Sequence, residues 1–253
     1  MIDIVIIDSG LGGVSLLSRL TQTFCFKNYL YFADNKNLPY GLKTKKELIL
    51  ITIKNMKKII KKYKPKLIVF GCNTIGTTII EDIKKIFNNQ NIFGIRPILQ
   101  DINFKNNKTL LLATNRTIDY FKKNKNNLKN NKNIILCKMS LLANKVENNI
   151  QNLDNIVPYL KSKLQRYYQI KNIFLGCTHY YFIKNQLKYL FPEAKIKDGG
   201  DYLINDIKTF VCKNLFLFKN VKNRKKVKVK VILTKKSYQI KVYKKLISKE
   251  ILN

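Results

Sequence analysis

Short apolar runs recur along the chain, each followed by a loop of small and polar residues and then by a stretch of helical periodicity. Ile2 to Ile7 runs into Asp8-Ser9-Gly10-Leu11-Gly12-Gly13, and Leu67 to Phe70 runs into Gly71-Cys72-Asn73-Thr74. Thr109 to Ala113 enters Thr114-Asn115-Arg116-Thr117, and Ile173 to Leu175 enters Gly176-Cys177-Thr178-His179. This is the pattern of α/β units built on parallel sheets. It predicts four polar loops at the C-terminal ends of four strands, the edge at which open α/β sheets bind ligands. Between them, Ile49, Ile53, Met56, Ile60 and Tyr63 repeat at helical steps until Pro65. Ile79, Ile80, Ile83 and Phe87 predict a helix after the first Cys loop, and Ile183, Leu187, Leu190 and Phe191 one after the second. Near the end, Lys226, Lys228 and Lys230 alternate with Val227, Val229 and Val231, which predicts a strand with one wet face, followed by a final helix.

The order of the loops repeats: an Asp-Ser-Gly loop then a Cys loop, followed by a Thr loop then a Cys loop. Ile68-Val69-Phe70-Gly71-Cys72-Asn73-Thr74 and Ile173-Phe174-Leu175-Gly176-Cys177-Thr178-His179 are similar enough to indicate internal duplication. The expected fold is therefore α/β, with two pseudo-symmetric lobes, each a mainly parallel sheet flanked by helices, and the active site in the cleft between them. The first lobe is expected to span 1–95 plus 208–253, and the second 96–207.

Composition narrows the class. With 253 residues and 45% hydrophobic content the chain can bury a sizeable core. The N-terminal apolar run contains Asp3 and has no basic leader, no apolar stretch approaches a membrane span, and a cytoplasmic location is expected. The five cysteines are scattered with no CxxC pair, which predicts free thiols and neither a disulfide framework nor a zinc site. The net charge of +34 raises nucleic acid as a partner. Yet only five basic residues are Arg, the type favoured for bidentate base and phosphate contacts, and the lysines come mixed with Asn and Ile, as in Lys122 to Asn133. Compositional drift in an AT-rich genome accounts better for that mixture. The basic tail from Lys219 to Lys249, with thirteen basic residues and no acidic one, keeps the nucleic-acid alternative open.

The chemistry concentrates in the duplicated loops. A lone cysteine is usually a buried apolar group. Two in matched Gly-Cys-polar-polar settings indicate one reaction that needs the same group twice. At a strand-to-helix turn, backbone N-H groups and the helix dipole are expected to lower the thiol pKa. Inverting a stereocentre by proton transfer needs a base on one face and an acid on the other, and two opposed thiols supply both. His179, the one histidine, lies two residues past Cys177 and is read as its proton partner. Asp8 could be a base, an ammonium ligand or a loop cap, and beside Cys72 a carboxylate would raise the thiol pKa rather than lower it. Asn73, Thr74 and Thr178 can hydrogen-bond a carboxylate. The Gly10-Leu11-Gly12-Gly13 segment follows neither GxGxxG nor a P-loop, so a phosphate cradle is disfavoured.

These residues, together with Asp34, Pro39-Tyr40-Gly41, Thr114 with Thr117, and Cys177-Thr178-His179-Tyr180, resemble the glutamate racemases of the aspartate/glutamate racemase superfamily in order and spacing, from about residue 3 to residue 205. The resemblance implies interconversion of L- and D-glutamate, with D-glutamate supplied for peptidoglycan, and no pyridoxal phosphate or metal. It implies Cys72 and Cys177 as the catalytic thiols assisted by Asp8 and His179, and matches Glu147 to an additional acidic catalytic residue. Asp8, Ser9, Tyr40, Gly41, Asn73, Thr74, Thr114, Thr117, Thr178 and His179 would contact substrate, and the expected assembly is a homodimer. An aspartate racemase of the same superfamily is the nearest alternative. The chain departs from the family in Ile75-Gly76, in Tyr181 where Pro usually stands, and in Asp198-Gly199-Gly200, which lacks the family's Ser.

Overall fold

Among the described residues the chain forms nine strands in two sheets: β1 (Ile4–Asp8), β2 (Asn28–Ala33), β3 (Leu67–Phe70), β4 (Ile92–Gly94), β5 (Thr109–Ala113), β6 (Ile134–Lys138), β7 (Asn172–Gly176), β8 (Lys195–Asp198) and β9 (Lys228–Leu233). They are seen in a computed structural model that describes residues 2–98, 108–124, 133–218, 227–235 and 239–252. Most of the Lys122 to Asn133 run, and residues 219–226 and 236–238 of the basic tail, lie outside the described residues.

The first sheet has the order β4-β3-β1-β2-β9 and the second β6-β5-β7-β8. Every neighbouring pair is parallel. Read from the other edge, the second sheet is β8-β7-β5-β6, the same succession as β4-β3-β1-β2, which is the duplication that the Cys loops signalled. The central strands β1, β3, β5 and β7 are almost wholly apolar and buried because both faces are covered, whereas the edge strands β8 and β9 expose lysines. Ile4, Ile6, Leu67 and Val69 enter the core on one face of the first sheet, and Val5, Ile7, Ile68 and Phe70 the core on the other. In the second sheet Leu110 and Leu112 alternate in the same way with Leu111 and Ala113.

The Lys-Val alternation forms the expected edge strand, with Lys228 and Lys230 exposed and Val229 and Val231 partly buried, paired to β2. The final helix follows as Gln239–Leu252. The helix that precedes it, Gly200–Lys213, buries Leu203, Ile204 and Ile207 in the core of the first sheet, so the expected division at 207/208 falls inside a helix of the first lobe.

One local reading is corrected. The helix Lys45–Tyr63 starts at a Thr44/Glu47 capping box, and its buried seam is Leu48, Thr52, Asn55, Met56 and Ile59. Apart from Met56, the expected face (Ile49, Ile53, Ile60, Tyr63) is only partly buried beside that seam. The rotation brings polar Asn55 inward, where Nδ2 donates to Asp34 at 3.1 Å. The helix expected from Ile79 to Phe87 is present as Ile80–Ile86, and a separate short helix, Asn73–Thr78, precedes it with the break at Ile79. Among the described residues, no helix is long and apolar enough to cross a membrane.

Candidate active site

The C-terminal ends of β1, β3, β5 and β7 converge, and with them all four loops singled out in the sequence. Each loop is fixed by the strand that carries it. Asp8 closes β1 and is fully buried, its Oδ1 accepting the Gly10 amide at 2.9 Å and its Oδ2 the Thr178 hydroxyl at 3.2 Å from the second lobe. Cys72 and Cys177 follow β3 and β7, each buried at the start of the next helical segment.

The two thiols have different surroundings. Burial first, then the negative charge of Asp8, pushes the Cys72 thiol up to about 12, and donation from the Ile75 and Thr74 amides offsets only part of this. The expected lowering by a helix dipole is therefore overturned for Cys72. The helix behind it is only 6 residues long, and a buried carboxylate outweighs so short a dipole. After Cys177 the chain forms a 3-10 turn, Thr178–Ile183, before the α-helix Lys184–Leu190 begins. What faces Cys177 is His179, with Sγ to Nδ1 at 3.9 Å. The other ring nitrogen, Nε2, lies 2.8 Å from Glu147 Oε2. Burial pulls the imidazole pKa down, but Cys177 and Glu147 more than compensate and hold it well above the ordinary value. Burial likewise raises Glu147, while donors from His179, Tyr243 and the Leu11 amide bring it below the usual carboxylate range. Asp8 is raised, by burial above all.

The remaining expected residues gather around these groups. Thr74 and Thr114, one from each lobe, share a hydrogen bond of 3.1 Å, and Thr114 Oγ1 reaches Thr117 Oγ1 at 3.3 Å. Asn73 is buried with Oδ1 making no hydrogen bond to the protein, and Ser9 is buried on the Asp8 loop. The Tyr40 hydroxyl donates to Asp34 at 2.6 Å, so Tyr40 is held by a carboxylate that also takes bonds from Asn37, Asn55 and Thr234. Gly41 sits against Thr114, where a Cβ would come within 2.6 Å of the threonine side chain. Among the described residues, no cluster of three or more His, Cys, Asp or Glu side chains has the arrangement of a metal site. Cys137 is packed in the core of the second lobe, and Cys25 and Cys212 are exposed.

Two features escaped sequence reasoning. Tyr243, from the C-terminal helix, donates to Glu147 Oε1 at 2.7 Å. It sits in a Lys-rich segment with no motif around it. The second is an inter-lobe clasp: Arg19 forks onto Asp198 at 2.8 and 2.7 Å, and its guanidinium and the Lys184 ammonium lie over the Tyr181 ring. The departures noted in the sequence fall at this clasp and beside it. A Cβ at Gly200 would lie 2.0 Å from Arg19 Nη1, and one at Gly76 would lie 1.9 Å from the Ile95 carbonyl oxygen. Serine at either position would need the backbone or the clasp to move. Since the Arg19-Asp198 pair is mostly buried, Arg19→Ala is expected to cost about 2 kcal/mol, between a surface pair and a fully buried one, and to lower the melting temperature by about 5 °C. A melting curve matching wild type would show that the clasp adds nothing.

No protein-family model matches the chain. It is 34% identical over 253 aligned residues to the glutamate racemase of Buchnera aphidicola subsp. Schizaphis graminum, covering 92% of this chain and 95% of that protein. To the glutamate racemase of Clostridium novyi it is 32% identical over 251 residues, 95% of each chain. The fold matches the crystal structure of Francisella tularensis glutamate racemase in complex with D-glutamate, with a TM-score of 0.79 at 20% identity, over 100% of this chain and 94% of that one. Duplicated α/β lobes with a cysteine loop in each, and relatives of this kind along nearly the whole chain, define an amino-acid racemase, an isomerase. The chain belongs to the glutamate racemase family.

Proposed function

We propose that this chain interconverts L- and D-glutamate with Cys72 and Cys177 as opposed acid and base, and no cofactor in the proton-transfer step. The observation that carries this reading is that both thiols follow equivalent strands of the duplicated sheets, whose C-terminal ends converge, each with its own proton-handling partner. Those partners are Asp8 on the Cys72 side and the His179-Glu147 pair behind Cys177. In one direction the Cys177 sulfur, as thiolate, takes the α-proton, and the Cys72 S-H delivers a proton to the opposite face of the carbanion. The reverse reaction needs Cys72 as thiolate. From a value of about 12, that costs on the order of 7 kcal/mol at pH 7, which the ammonium group of the bound amino acid offsets by lying beside the sulfur. Asp8, raised by burial, is suited to relay the proton that Cys72 gives up.

The Thr74, Thr114 and Thr117 hydroxyls and the Asn73 amide belong to the substrate carboxylates in this reading. Ser9, Tyr40, Gly41, Thr178 and His179 complete the wall of the site. The lobes divide near residue 95 and again near Gly199, with the C-terminal segment returning to the first. The wider role would be supply of D-glutamate for peptidoglycan in the cytoplasm, by a homodimer.

The test is solvent-deuterium incorporation at the α-carbon of L-glutamate by NMR, with optical rotation followed in parallel and no cofactor added. Racemisation of glutamate with exchange, and much slower turnover of aspartate, is the expected result. Faster turnover of aspartate would move the substrate assignment, and inertness towards both amino acids would refute the activity.

A further inference from the structure

We propose that Tyr243 is a positioning residue for the Cys177 arm: its hydroxyl fixes the Glu147 carboxylate, which in turn holds His179 beside Cys177. This inference rests on the two-thiol reading above. Tyr243 belongs to the C-terminal helix, yet its side chain is fully buried and its hydroxyl donates to Glu147 Oε1 at 2.7 Å. The Leu11 amide reaches both carboxylate oxygens, at 3.2 and 3.0 Å, and His179 Nε2 lies 2.8 Å from Oε2. Donors from three separate stretches of chain therefore converge on one buried carboxylate, which leaves it a single orientation. That orientation sets the imidazole plane, and with it the 3.9 Å approach of Nδ1 to the Cys177 sulfur.

A packing role alone would need only the ring, which lies 6.3 Å from that of Tyr31. The hydroxyl is what touches the proton-handling pair. The titratable groups that face Glu147 are His179 from the second Cys loop, Asp8 from β1, Tyr31 from β2 and Tyr243 itself. Of these, Tyr31 directs its hydroxyl elsewhere, to the Gly10 carbonyl at 2.6 Å. Removing the Tyr243 hydroxyl takes a donor from the ionised form of Glu147, so its proton affinity rises. Activity that needs the carboxylate ionised is lost as pH falls through its pKa, and this loss should then begin at higher pH.

The experiment compares wild type, Tyr243→Phe, Glu147→Gln and the double variant, with kcat and KM measured across pH and thermal melts recorded for each. For Tyr243→Phe the acid limb of kcat is expected to move up by about one pH unit, with kcat down about tenfold at neutral pH and KM changed less than threefold. In the Glu147→Gln background the same change should have little further effect, because the two residues act as one unit. An unmoved acid limb with only a lowered melting temperature, or full additivity in the double variant, would overturn the proposal. If Tyr243→Phe melts near the assay temperature, the profiles are taken on cooled samples, where the same outcomes decide. A wild type that does not racemise, or a Cys177→Ser variant that still does, would instead strike the two-thiol reading beneath it.

Discussion

Cys72→Ser and Cys177→Ser are each expected to reduce racemisation by about 10²- to 10⁴-fold in both directions, the usual weight of a positioned acid or base. A serine hydroxyl is smaller than the thiol but keeps its connectivity, and it is far less acidic, while each turnover in either direction uses both groups. Racemisation and exchange should separate in these variants. With one thiol left, a proton can be taken from one face and returned to it, so each single variant should still incorporate solvent deuterium into one enantiomer, and the two variants into opposite enantiomers. Deuterium NMR of separated L- and D-glutamate reads this directly. A single variant that racemises at the wild-type rate would remove that cysteine from the mechanism.

Gly12→Ala is expected to have the next largest effect. A Cβ at this position would stand 2.4 Å from Thr178 Oγ1, 2.7 Å from His179 Nδ1 and 2.8 Å from the His179 backbone nitrogen. The side-chain atoms could turn away, but the backbone nitrogen can yield only if the second Cys loop shifts. The overpacking costs about 1–3 kcal/mol of stability. A shift of the order of 1 Å at His179 and Cys177 costs about 10²-fold in kcat. Activity should therefore fall much further than the melting temperature, and kcat more than KM. Wild-type kcat in Gly12→Ala would show that the two loops are not held in register by this contact.

The strands that carry the site were legible because burial on both faces makes a parallel strand apolar throughout, and Leu67 to Phe70 and Thr109 to Ala113 match β3 and β5 residue for residue. The helix faces were read less well. Ile49 and Ile53 look like a seam, yet the chain turns Asn55 inward to serve Asp34, and no local pattern announces a polar residue recruited by a distant carboxylate. The same holds for Tyr243, whose partner lies in the other lobe, and for Arg19, whose partner Asp198 ends β8.

The sequence by itself determined the α/β class, the duplication, the two cysteine loops and the resemblance that the relatives bear out. These depend on runs and spacings within a few residues, which local physical chemistry writes directly into the chain. The tertiary structure alone decided how the two thiols differ. Cys72 lies in a buried pocket beside Asp8 that pushes it up to about 12, whereas Cys177 faces an imidazole held by Glu147. Thiol acidity is set by desolvation and by charges within a few ångströms. For Cys72 that charge comes from Asp8 on a separate strand, and the Glu147 carboxylate behind His179 comes from a helix far from Cys177 in sequence, so only the folded arrangement fixes them.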